Sequence, residues 1–179
     1  RAWQDRPEAL RNIDSRREDD PDWYRGHDMT GMLMYVKAFA GTLNGVREKL
    51  DYIQDCGVNY LHLMPLLESP EGRSDGGYAV SDFRKVQPEL GTMEDLAALA
   101  GDCHDRGIAL CLDFVMNHTS EDHAWARSAR KGDPTDMARY FIYDNWVVPD
   151  EYERTVPQVF PTTAPGNFTW CEEAGKVVM

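Results

Sequence analysis

The amino-acid sequence predicts an α/β fold built on parallel strands. Two observations carry that reading. Three short apolar runs alternate with stretches of helical periodicity, giving the order strand, helix, strand, helix, strand. The runs are apolar almost without interruption, as in strands covered on both faces. Parallel neighbours joined by right-handed crossovers satisfy both observations. A doubly wound sheet and a (β/α) barrel both fit the order. No G-x-G-x-x-G follows any strand, which counts against a dinucleotide-binding sheet.

Each element has its own signal. Residues 1–28 are charge-rich, with "DSRREDDPDW" in the middle and too few apolar positions for a core helix. They read as a surface helix that breaks before Pro21, then a linker containing Gly26. "MLMYV", residues 32–36, is the first strand. In "NGVREKLDYIQDCG" the residues Val46, Leu50 and Ile53 recur at helical spacing and Gly57 sits at the C-cap, predicting a helix near 44–56. "YLHLM", residues 60–64, is the second strand, stopped by Pro65. A polar stretch runs from Leu66 to Gly91. Thr92 and Asp95 then form a capping-box pattern, and Gly107 ends a helix near 92–106. "IALCLDF", residues 108–114, is the third strand. From Thr119 the rhythm is lost in a segment rich in aromatic residues and proline, which reads as an irregular excursion from the third strand. The expected organisation is therefore 1–28, 29–118 and 119–179.

Composition narrows the function classes. A chain of 179 residues with 42% hydrophobic and 28% charged residues supports a single packed domain. Its net charge of −12, without a basic run, argues against nucleic acid and against an anionic membrane surface as partners. No apolar stretch reaches transmembrane length and no signal peptide is visible. Cys56, Cys103, Cys111 and Cys171 show no close-paired spacing. They are expected to be reduced packing residues, which suits a cytoplasmic protein. The chain opens on Arg1 and stops as a β-like segment begins in "EEAGKVVM", so a segment of a longer protein is expected.

Two polar clusters follow carboxyl ends of strands, the face on which parallel α/β folds bind ligands. The loop after the second strand is long enough to suggest function. It contains "SDGGY", residues 74–78. Its glycines permit close backbone approach, Asp75 can accept from sugar hydroxyls, and Tyr78 offers a flat face to a pyranose. An ordinary surface turn fits the same residues. The second cluster is "DFVMNH", residues 113–118. Asp113 shares a strand face with Cys111 and Val115, and a buried carboxylate there needs a donor from elsewhere. His118 can donate to a substrate oxygen near neutral pH. Structural roles for Asp113 and His118 fit as well. A metal site at Asp113, Asn117 and His118 matches no strong ligand pattern.

Several segments together resemble the α-amylase superfamily of glycoside hydrolases. "GVNYLHLMP" is similar to its second-strand motif and "DFVMNH" to its third-strand Asp-x-x-x-Asn-His signature. "SDGGYAVSDFRKVQPELGT", "MPLLESPEG", "PDEYERTVPQVFP" and "APGNFTW" resemble the amylosucrase branch. The resemblance runs from about Asp22 to the end of the chain. It implies a partial (β/α)₈ barrel of three βα units, with an irregular subdomain inserted after strand three. It also implies α-retaining chemistry on sucrose, with transfer of glucosyl units to an α-1,4-glucan and release of fructose. A sucrose hydrolase or α-glucosidase, or a non-catalytic relative, is the alternative. Carried over, His118 hydrogen-bonds the glucosyl ring where cleavage occurs and strengthens that bond in the transition state. Tyr78 stacks under the ring, Asp75 closes the pocket floor, and Asp113, Asn117 and Pro65 support the site. No cofactor or metal is expected. The nucleophile and acid/base of the family follow strands four and five, beyond the three strands found here. Asn145 and Trp146 stand where relatives tend to carry a Pro-Asp-Arg stretch, a departure within the insert.

Overall fold

The computed structural model describes residues 4–162 and 164–179, so the first three residues of the charged N-terminal segment lie outside it. That segment forms a helix, α1 (Glu8–Asp19), with no buried residue, and it stops before Pro21. The centre of the fold is a parallel sheet of β1 (Gly31–Met34), β2 (Tyr60–Leu63) and β5 (Ala109–Leu112), in the order β1-β2-β5. Leu61 pairs with Met32 on one side and Leu110 on the other. The alternation of the pleat sends Met32, Met34, Leu61, Leu63 and Leu110 to one face, where they join the core.

Helices cover that face. Between β1 and β2 lie α2 (Val36–Ala40), α3 (Leu43–Glu48) and α4 (Leu50–Asp55). Between β2 and β5 lies α5 (Met93–Asp105). Leu43, Val46, Leu50, Ile53 and Leu99 are fully buried against Leu61 and Leu63. Each such side chain removed from water contributes about 1.5–3 kcal/mol. The capping box at the start of α5 forms as the sequence predicts, with Thr92 accepting from the Asp95 amide and Asp95 from the Thr92 amide.

Three expectations need correction. The first strand ends at Met34, not at Val36, because Val36 turns inward as the first buried residue of α2. The helix expected over 44–56 is two helices, broken at Lys49, whose backbone (φ −102°, ψ 5°) leaves the helical range. The long polar stretch is not all loop. Short strands β3 (Leu67–Glu68) and β4 (Asp82–Val86) pair in antiparallel fashion and bring its two ends together.

After β5 the chain forms the short helices α6 (Ala124–Arg130) and α7 (Pro134–Met137). It continues through β6 (Ile142–Tyr143), α8 (Val147–Tyr152), β7 (Thr169–Cys171) and β8 (Lys176–Val178). The last three strands make a small antiparallel sheet in the order β6-β8-β7. All four cysteines are free. Cys103 packs in the core as expected, whereas Cys56 is exposed. No described helix is long and apolar enough to cross a membrane.

Candidate functional site

The parallel sheet points its three carboxyl ends the same way, and each end delivers a side chain or a turn to one place. Beyond β1 comes Tyr35, beyond β2 comes Pro65, and beyond β5 comes Asp113. The loop between β3 and β4 folds over them. Asp75 (φ +42°), Gly76 (φ +74°) and Gly77 (φ +96°) are three successive residues in left-handed backbone. At Gly76 a Cβ would lie 2.8 Å from the Tyr35 hydroxyl, and at Gly77 one would lie 3.1 Å from Pro65. Only glycine lets the turn lie this close to the strand ends. Asp75 itself is exposed and makes no hydrogen bond among the described residues.

Tyr78, the next residue, turns inward. Its hydroxyl donates to Asp113 Oδ2 at 2.7 Å. His62 Nε2 donates to Asp113 Oδ1, also at 2.7 Å. These are the donors that the sequence demands for this carboxylate without identifying them. Burial pushes Asp113 upward, but the hydrogen bonds from Tyr78 and His62 outweigh it and hold the carboxyl below its ordinary range. The same hydrogen bond, with burial adding to it, pushes the Tyr78 phenol up to about 12. Asp113 is therefore a carboxylate and Tyr78 a neutral donor throughout the physiological range.

His118 meets Tyr78 from the other side. Its Nε2 donates to the Tyr78 carbonyl at 3.0 Å, and its Nδ1 accepts from the Asn117 side-chain amide at 3.1 Å. The two contacts fit one neutral tautomer. Both ring nitrogens are thus engaged within the protein, so donation to a sugar requires the ring to exchange the Tyr78 carbonyl for a ligand oxygen. Of the expected site residues, the structure joins Tyr78, Asp113, Asn117 and His118 in one hydrogen-bonded chain and sets Pro65 beneath the turn. Asp75 lies three residues from Tyr78 on the same turn.

Sequence reasoning missed His62 and Tyr35. His62 carried a signal: it is the one polar side chain in "YLHLM", and β2 pairs it with Cys111, two residues before Asp113 on the same face. Tyr35 gave none, because it reads as part of the apolar run.

A three-stranded parallel β/α unit with its polar residues gathered at the carboxyl ends is the arrangement of a (β/α) barrel enzyme. The family described as "Alpha amylase, catalytic domain" matches residues 11–175, and the chain belongs to that family. It is 35% identical to the trehalose synthase of Pimelobacter sp. (strain R48) over 88% of this chain and 28% of that protein. It is 32% identical to Maltase 1 of Drosophila virilis over 87% of this chain and 25% of that protein. Among solved structures, the trehalose-6-phosphate hydrolase TreA of Bacillus licheniformis superposes with a TM-score of 0.73 at 27% identity, over 88% of this chain and 28% of that one. A mutant of MutB, the trehalulose synthase of Pseudomonas mesoacidophila, solved with its substrate sucrose, superposes with a TM-score of 0.71 at 30% identity over the same shares. The chain therefore spans little more than a quarter of the length of these relatives.

Proposed function

We propose that this chain is the amino-terminal part of the catalytic barrel of an α-retaining, amylosucrase-like glucosyltransferase. The whole enzyme transfers glucosyl units from sucrose to an α-1,4-glucan and releases fructose. The observation that carries the reading is the meeting of Tyr78 with Asp113 and His118 at the strand ends, on the "SDGGYAVSDF" loop that the amylosucrase resemblance rests on. Tyr78 stacks under the glucosyl ring, His118 hydrogen-bonds it, and Asp75, whose carboxylate is exposed, closes the floor. The sucrose complex of MutB supports the substrate class. Likeness to a maltase supports a second reading, hydrolysis of α-glucosides by the same site.

Retaining chemistry needs two carboxyl groups about 5 Å apart across the scissile bond. By the resemblance both follow later strands of the barrel, so the 179-residue chain alone is expected to release no fructose from sucrose. The whole enzyme is expected to release it and to lengthen an α-glucan. Turnover by the chain alone would show that Glu68, Glu71, Asp75 or Asp113 supplies the chemistry. Release of glucose and fructose in equal amounts, without glucan growth, would favour hydrolysis. In the whole enzyme His118→Ala should lower kcat/KM and Tyr78→Ala should raise KM for the glucosyl donor. An unchanged kcat/KM in His118→Ala removes that residue from the site.

A further inference from the structure

We infer that His62 is the positioning residue that fixes the plane of Tyr78, acting through the Asp113 carboxylate. The inference rests on the reading of Tyr78 as the sugar platform and adds a residue to it.

A tyrosine ring presented to a sugar must be held by something other than the sugar. On the loop Tyr78 has freedom, since three left-handed residues and a break from regular structure precede it. Its one side-chain hydrogen bond goes to Asp113 Oδ2. Asp113 lies one residue past the end of β5, where pairing no longer orients its side chain. The second oxygen, Oδ1, is taken by His62 Nε2 at 2.7 Å. His62 is inside β2, the central strand, with buried Leu61 and Leu63 on either side of it in the chain. The relay therefore starts on the most rigid element of the sheet and ends on the most adaptable turn. A carboxylate held at both oxygens cannot rotate, and a phenol bound to a fixed oxygen keeps its plane. The titratable groups facing this carboxylate are His62 from β2 and Tyr78 from the loop, with the Tyr35 hydroxyl beyond Tyr78 on the β1 side.

Replacing His62 by leucine removes the donor and leaves Oδ1 unsatisfied. Glutamine places an amide nitrogen where Nε2 lies and restores the donor. In the whole enzyme carrying this segment, His62→Leu is expected to raise KM for the glucosyl donor about tenfold, the scale of one lost hydrogen bond to a partly buried charge, with a smaller change in kcat. His62→Gln is expected to return KM to near the parent value. Carboxyl-carbon NMR of Asp113 gives a reading that general loosening would not produce. Its titration midpoint should rise in His62→Leu and return in His62→Gln. A midpoint that does not move overturns the inference, because the pair is then absent in solution. A midpoint that moves while KM stays put, with Tyr78→Ala still raising KM, overturns positioning and leaves the sugar platform standing. If Tyr78→Ala and His62→Leu both leave KM unchanged, the sugar platform falls and the role of His62 falls with it.

Discussion

The chain from β1 to β5 and the chain beyond it are held together by different means. The first buries a continuous layer of aliphatic side chains between sheet and helices, with Leu43, Val46, Leu50, Ile53, Leu61, Leu63 and Leu99 all fully enclosed. From residue 119 onward the described residues that are buried are few: Ser120, His123, Ala129, Pro149, Phe168 and Val177. Pairwise contacts take over there. Phe168 packs edge-on against Tyr143 and stacks on Tyr152. Glu153 accepts from the amides of Asn167 and Phe168 and from the Asn167 side chain. Phe83 of β4 meets Phe114, His123 and Trp125, joining the insert to the hairpin. A layered core spreads the cost of any one loss across many neighbours, whereas an insert made of single contacts depends on each of them.

That difference can be broken from either side. The largest effect should come from Leu61→Ala. It opens a cavity under the central strand and should cost about 3 kcal/mol, read as a lower urea midpoint for the whole chain. Glu153→Ala should cost about 2 kcal/mol by stranding the donors it serves. Its signature should be local, with faster amide hydrogen exchange at 167–171 and unchanged exchange at 60–63. Equal loss of protection in both regions would erase the distinction.

The smallest expected effect is a pH dependence confined to the insert. His123 Nδ1 accepts from the Trp125 amide and caps α6, so it must be unprotonated there. Burial depresses His123 below its ordinary value of 6.5, against the opposing pull of Asp82 and Asp136. A histidine depressed in the folded state contributes stability that is complete above the unfolded value and is lost as pH falls through the folded one. Exchange protection of 124–130 should therefore weaken below pH 6.5. His123→Asn keeps an acceptor without a titrating ring and should flatten that dependence. A slope that survives the substitution would place its origin elsewhere.

What could be read from the sequence follows the same division. The second and third strands were legible because "YLHL" and "ALCL" are apolar on both faces, and helix 93–105 because its cap and its Gly107 stop are local chemistry. Lys49 gave no warning of a helix break, since Leu50 and Ile53 keep helical spacing across it. β3 pairs through two residues, and the strands of the insert have two or three each, too short for alternation to register. In the site, Tyr78, Asp113 and His118 were visible as polar residues out of place. The contact between them was not, because it depends on a turn of left-handed residues whose direction sequence alone does not give.

Arg73 has a consequence of a mechanical kind. It sits two residues before Asp75, and its guanidinium spans Glu121 and Asp122 just past His118. Asp122 is also gripped by Arg127, and Glu121 by Arg130, both on α6. The tie works as a tether from the insert to the turn that bears Asp75 and Tyr78. Any swing of α6 pulls on that turn from its upstream side while His118 holds its downstream side. Being partly exposed to solvent, the tether slackens as ionic strength rises. Salt thus becomes a dial on the tension of the loop, acting at a distance from every residue that would touch a sugar.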